Sequence, residues 1–116
     1  MIIGIGIDVV DVSRFGETLE RTPRLLERLF TEPERSLGLN SLAARFAAKE
    51  ALAKALGAPV GLCWTHVQGL SGEDGRPNRR QWGTIQARAT APCVHNLQIS
   101  LSHDAGTTPA TLCAEA

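Results

Sequence analysis

The sequence predicts an α+β fold, with a mixed or antiparallel sheet packed on a long central helix, in one small domain covering residues 1–116. Three observations carry that expectation. The chain opens on a β-branched run, Ile2 to Val12. A stretch rich in alanine and leucine, Ala44 to Gly57, reads as a long helix. Near the C-terminus Leu97, Ile99 and Leu101 alternate with polar residues, as a half-buried strand does. A strand, then helices, then mostly strands is the order of an α+β domain.

In the opening strand Ile3, Ile5 and Ile7 share one face, and Gly4, Gly6 and Asp8 share the other. Such a run reads as a strand buried on both faces, with open space left by the glycines beside Asp8. Asp8 is also of a residue type that simply caps or ends strands. Asp11 and Ser13 then offer N-cap oxygens to a helix bearing Phe15 and Leu19. Thr22-Pro23 reads as a cap with proline at N1, restarting a helix through Leu25, Leu26, Leu29 and Phe30. Thr31-Glu32-Pro33-Glu34 matches a capping box. Asn40 or Ser41 is expected to cap the long helix, with Gly57 as its C′ residue. Beyond a loop at Pro59 and Gly61, Leu62 to Leu70 reads as a strand, Gly72 to Gly75 as a turn and Arg76 to Trp82 as a polar strand. Thr84 to Ala91 reads as a short helix stopped by Pro92. After the strand ending near Leu101, Ala105 to Pro109 reads as a turn and Ala110 to Ala114 as a last short strand.

The totals exclude several classes. Twelve basic and twelve acidic residues give zero net charge, which argues against a nucleic-acid binder. No apolar run approaches the ~20 residues needed to span a bilayer, and no signal peptide is expected. Cys63, Cys93 and Cys113 are odd in number and widely spaced. That pattern suits three reduced, mostly buried thiols in a cytoplasmic protein better than disulfides or zinc.

The long helix holds a conflict. It is apolar on most faces, as a buried helix is, yet it carries Arg45, Lys49, Glu50 and Lys54. Charges in such a place are expected to be paired or to bind something. Asp8 and Glu50 are carboxylates on two elements that must pack together, and two such groups beside a phosphate suit Mg²⁺. Arg45, Lys49 and Lys54 would neutralise phosphate oxygens. The plainer reading of Glu50 and Lys54 is an exposed i,i+4 pair worth about 0.2–0.5 kcal/mol. His103 ends a strand beside Ser100, Ser102 and Asp104, which as sequence neighbours cannot form a triad. It could instead donate to a phosphate. Arg14, Arg21, Arg24 and Arg28 alternate with Glu17, Glu20 and Glu27, a self-paired solvated face on charge alone.

Taken together, three segments resemble a known family: Gly4-Ile5-Gly6-Ile7-Asp8-Val9-Val10 with Arg14, then Arg45-Phe46-Ala47-Ala48-Lys49-Glu50-Ala51 with Lys54-Ala55-Leu56-Gly57, then Ser100-Leu101-Ser102-His103-Asp104. In that order they resemble the holo-acyl-carrier-protein synthases, the short stand-alone class of 4′-phosphopantetheinyl transferases. The resemblance implies a 4′-phosphopantetheinyl transferase-like fold and a homotrimer with active sites between subunits. It implies transfer of 4′-phosphopantetheine from coenzyme A to a serine of an acyl carrier protein, free-standing or a domain of a fatty acid synthase. Adenosine 3′,5′-bisphosphate is then released, and the reaction serves fatty acid biosynthesis. By the same resemblance Asp8 and Glu50 hold Mg²⁺, and Lys54 contacts the phosphates with catalytic effect. Arg45, Lys49, Gly57 and His103 join Lys54 in binding the coenzyme A. Glu50, or a metal-bound water that it orients, takes the serine proton. Carrier proteins are acidic, so Arg14, Arg21, Arg24 and Arg28 become expected docking residues. The chain departs from the family pattern after Gly57, where Ala58-Pro59-Val60-Gly61 replaces a Gly-rich turn, and from Arg76 to Ala91. A module that binds coenzyme A or carrier without turnover is the competing reading.

Overall fold

Even-numbered residues of the first strand pack on the long helix, and that contact organises the molecule. The structure, a computed structural model, describes residues 1–57, 67–71, 77–81 and 96–116. Strand β1 spans Ile2–Asp11, and helices α1 (Val12–Arg21), α2 (Leu25–Leu29), α3 (Glu32–Arg35) and α4 (Leu39–Ala55) follow. Strands β2 (Val67–Ser71), β3 (Pro77–Gln81), β4 (Asn96–Leu101) and β5 (Thr107–Glu115) complete the described elements. Strands β1, β5 and β4 form an antiparallel sheet with β5 in the middle, while β2 and β3 pair as a separate antiparallel ribbon. The expected loop at Pro59–Gly61, the turn at Gly72–Gly75, the helix at Thr84–Ala91, Cys63 and Cys93 lie outside the described residues. Among the described residues no helix is long and apolar enough to cross a membrane.

Helix α4 lies across one face of the sheet and buries Leu42, Ala43, Ala47, Ala51, Leu52 and Leu56. The sheet answers with Val10, Ala110 and Leu112, and the helical segments with Phe15, Leu29 and Phe30. The space expected beside Asp8 is filled. A Cβ at Gly4 would overlap the Ala55 carbonyl, and one at Gly6 the Ala51 carbonyl. The two glycines let the α4 backbone rest on the strand, the close approach that only glycine permits. The other face of β1 is bare in this chain. Ile5, Ile7 and Val9 are 67%, 57% and 59% exposed, so the strand is covered on one side rather than two.

Several boundaries moved for identifiable reasons. Asp11, not Ser13, caps α1, accepting the Arg14 amide at 3.0 Å. Thr22 still donates its amide to Thr18 at the end of α1, so α2 starts only at Leu25 and ends before Phe30. Gly38, not Asn40 or Ser41, caps α4 and accepts the Leu42 amide at 3.0 Å. Gly57 takes the left-handed conformation (φ 84°) expected of C′. Strand β5 begins three residues before the expected Ala110 and contains Pro109. Pro109 accepts from the Ser102 amide at 3.0 Å but has no N–H to return, so the ladder with β4 ends there. Ala105 and Gly106, at φ 49° and 77°, make the tight turn between β4 and β5.

Candidate active site

Two elements bring the acidic pair together. Asp8 projects from the helix-facing side of β1, and Glu50 lies on α4, whose backbone the two glycines hold against that side. Lys54, one turn after Glu50, donates to Asp8 Oδ1 at 3.1 Å and to the Ile7 carbonyl at 2.9 Å. Asp8 therefore does not end its strand, which runs on to Asp11. The three groups are electrostatically unbalanced. Burial, reinforced by the Asp8 charge and opposed by Lys54, raises the Glu50 pKa above its ordinary value. Two carboxylates facing one ammonium leave an excess of oxygen donors and negative charge. A hard divalent cation fits that donor set if water or substrate oxygens supply its remaining ligands. Among the described residues no group of three or more His, Cys, Asp or Glu that could hold a metal ion occurs, so the protein alone offers at most this carboxylate pair there.

Asp8 and Glu50 sit on the wall of a cavity of about 570 Å³. Phe15, Phe46, Leu25 and Leu29 form its apolar lining, and Arg14 adds a cation. The Phe15 and Phe46 rings stack with centroids 5.0 Å apart. Cavities of this kind, mostly apolar with a few convergent polar groups, are where small molecules and inserted side chains bind. His103 lies on a second cavity of about 410 Å³ with Asn40 and Asp104, and its Nδ1 is 3.2 Å from the Thr108 hydroxyl. Thr107 borders both cavities. Gly57 and Lys54 share a third, open depression beyond the end of α4.

Asp8, Glu50 and Lys54 thus form one cluster, with Arg14 on the same cavity and His103 on its neighbour. Arg21, Arg24 and Arg28 are exposed on α1 and α2. Lys49 faces away from this cluster. Expected among the coenzyme A contacts, it is 2% exposed and donates to Glu34 Oε1 at 2.6 Å and to the Leu29 carbonyl at 2.7 Å. It also lies 5.0 Å over the Phe30 ring. The i−4 neighbour Arg45 turns the same way, with Nε 3.7 Å from Glu34 Oε2. Burial lowers the Lys49 pKa against the opposing pull of Glu34. Sequence reasoning passed over Phe46 and Glu34. Phe46 read only as helix core, and Glu34 only as a capping residue.

The chain matches the model of the 4′-phosphopantetheinyl transferase superfamily over residues 4–112. It belongs to that family. A curated relative, holo-[acyl-carrier-protein] synthase from Streptomyces griseus, is 54% identical over 121 residues, covering 99% of each chain. The crystal structure of holo-[acyl-carrier-protein] synthase from Neisseria meningitidis superposes with a TM-score of 0.88 at 27% identity, covering all of both chains. The Helicobacter pylori holo-[acyl-carrier-protein] synthase, solved in complex with coenzyme A, gives a TM-score of 0.83 at 28% identity, covering 96% of this chain and 99% of that one. The α+β architecture expected from the sequence is the architecture these transferases share.

Proposed function

We propose that the chain is a holo-acyl-carrier-protein synthase, transferring 4′-phosphopantetheine from coenzyme A to a serine of an acyl carrier protein in fatty acid biosynthesis. The convergence of Asp8, Glu50 and Lys54, with both carboxylates on the wall of an apolar cavity, carries the reading. In this reaction the serine Oγ attacks the phosphorus that bears the pantetheine arm. Its bond to the bridging oxygen breaks, and adenosine 3′,5′-bisphosphate leaves. The attacked centre is shielded by negative oxygens, so catalysis is mostly charge neutralisation and positioning. Mg²⁺, held by Asp8 and Glu50, would supply most of that neutralisation. Lys54 supplies a further positive charge, already fixed by Asp8 and the Ile7 carbonyl. Glu50, or a metal-bound water that it would orient, is suited to take the serine proton.

Arg45 and His103 are assigned to the nucleotide portion, and Gly57 to the phosphate end near Lys54. Arg14, Arg21, Arg24 and Arg28 are assigned to docking the acidic carrier. The bare apolar face of β1 supports a homotrimer in which neighbouring copies cover Ile5, Ile7 and Val9. The compartment assigned to the enzyme is the cytoplasm, which a coenzyme A-dependent reaction on a carrier protein suits. Light scattering is expected to give three chain masses for the native protein and a smaller assembly for Ile7→Lys. A monomeric native protein at working concentration would contradict the trimer.

The functional test is transfer of labelled phosphopantetheine to a panel of purified apo carriers. Transfer is expected with Mg²⁺ and is expected to fall at least about 100-fold in EDTA. Binding of coenzyme A without transfer to any carrier would favour the competing module that binds but does not turn over.

A further inference from the structure

Helix α2 has five residues, far too few to be stable by itself. Its C-terminal carbonyls are nevertheless held by two cations from elsewhere in the chain. Lys49 of α4 donates to the Leu29 carbonyl at 2.7 Å. Arg35 of α3 donates to the Phe30 carbonyl at 3.2 Å and to the Glu27 carbonyl at 3.3 Å. Cations at a helix C-terminus satisfy its last carbonyls and oppose its dipole. Glu34, itself 1% exposed, fixes the lysine in turn. Its Oε1 accepts from Lys49 at 2.6 Å, from the Thr31 amide at 3.0 Å and from the Thr31 hydroxyl at 3.2 Å. These bonds tie α2, α3 and α4 together behind the cavity. The Leu25 and Leu29 side chains of α2 form one part of its lining, and Phe46 and Glu50 of α4 another.

We infer that Lys49 and Glu34 are positioning residues for the carrier protein: they lock α2 against α4 and so fix Arg24, Arg28 and the Leu25–Leu29 cavity wall relative to Glu50. The inference rests on the transferase reading and on the assignment of these arginines to carrier docking. A buried ammonium–carboxylate pair is a costly way to stabilise a fold, since a well-packed apolar pair does as well or better. What the pair supplies here is direction. The ammonium reaches a specific backbone carbonyl on the segment that must meet the carrier, which an apolar side chain cannot hold. Lys49 holds the Leu29 carbonyl and Glu34 the Thr31 amide, while Lys54 is fixed by Asp8 and the Ile7 carbonyl.

The variant Lys49→Met removes the bond to the Leu29 carbonyl and leaves Glu34 its Arg45 and Thr31 partners. It is expected to keep coenzyme A affinity within about twofold and kcat at saturating carrier within about threefold, while the carrier KM rises at least about tenfold. An unchanged carrier KM would overturn the inference, as would a matched loss of coenzyme A affinity, which marks general damage. Hydrogen exchange on the native protein gives a check that does not depend on the variant folding. The amides of Arg28 and Phe30, bonded to the Arg24 and Leu26 carbonyls, are expected to be protected at least about 100-fold over an unfolded chain. Unprotected amides there would mean that α2 is not locked. Native protein that transfers to no carrier would sink the transferase reading itself and take this inference with it. Native transfer with an unchanged variant KM would sink this inference alone.

Discussion

Glu50→Gln is expected to lower the transfer rate about 10³-fold, leaving the protein folded and, without metal, slightly more stable. The loss follows from the charge. The amide keeps the shape of the side chain but can neither balance a divalent cation nor accept the serine proton. The gain in stability follows from the pKa. Burial first, then Asp8, raises Glu50 above its ordinary value of 4.5, so the folded state holds this proton more tightly than the unfolded state does. That contribution is fully present below 4.5 and is lost as pH rises through the raised folded value. At neutral pH the ionised carboxylate is therefore a burden on the metal-free fold, and glutamine relieves it. The side chain is partly open to solvent, which screens the effect, so the gain in Tm should not exceed about 4 °C. Calorimetry in EDTA across pH 4.5 to 7 checks the sign: the native Tm should fall more steeply than that of the variant. Substantial residual transfer by Glu50→Gln would remove Glu50 from the reaction.

Gly6→Ala is expected to cost about 3 kcal/mol or more and to lower Tm by at least about 12 °C. The new Cβ would overlap the carbonyl oxygen of Ala51, and its next neighbours are the Ala51 carbonyl carbon and the Ala55 amide. All are backbone, so no side-chain rotation can relieve the clash and α4 must move away from β1. Because β1 carries Asp8 and α4 carries Glu50 and Lys54, the same shift would open the site. Folded Gly6→Ala molecules are therefore expected to lose transfer as well as stability. Denaturant unfolding measures the first effect, and specific activity per folded molecule the second. Gly16→Ala is a useful contrast, since its nearest neighbour is the movable Leu39 side chain.

The site was legible where its signal was a conflict within one element. Charges on an alanine-rich helix pointed to Glu50 and Lys54, and an aspartate on a strand broken by glycines pointed to Asp8. Lys49 carries the same kind of signal and means something different. Whether a cation on such a helix faces a ligand or a buried carboxylate depends on what packs against it, and Glu34 is fifteen residues away. A capping glutamate gives no hint that it is buried, because the box pattern describes only its local bonds. The glycines misled in a similar way. Absence of a side chain reads as space, although here it marks the place where a helix backbone fills that space. Proline and turn residues hid the start of β5: Pro109 has no N–H to return to Ser102, yet Asp104 and Thr107 still exchange backbone bonds beyond it. The exposed face of Ile5, Ile7 and Val9 looked like core in the sequence. In one chain it is surface, and the trimer proposal rests on that difference.

Product balance is the most direct test of the central claim that Asp8, Glu50 and Lys54 form the transferase centre. Native protein, coenzyme A, Mg²⁺ and an apo carrier should yield one phosphopantetheine on the carrier serine for each adenosine 3′,5′-bisphosphate released, both read by mass spectrometry. The Asp8→Asn/Glu50→Gln variant, folded by calorimetry, should yield neither. A carrier left unmodified by the native protein, or modified equally by the variant, would contradict the account.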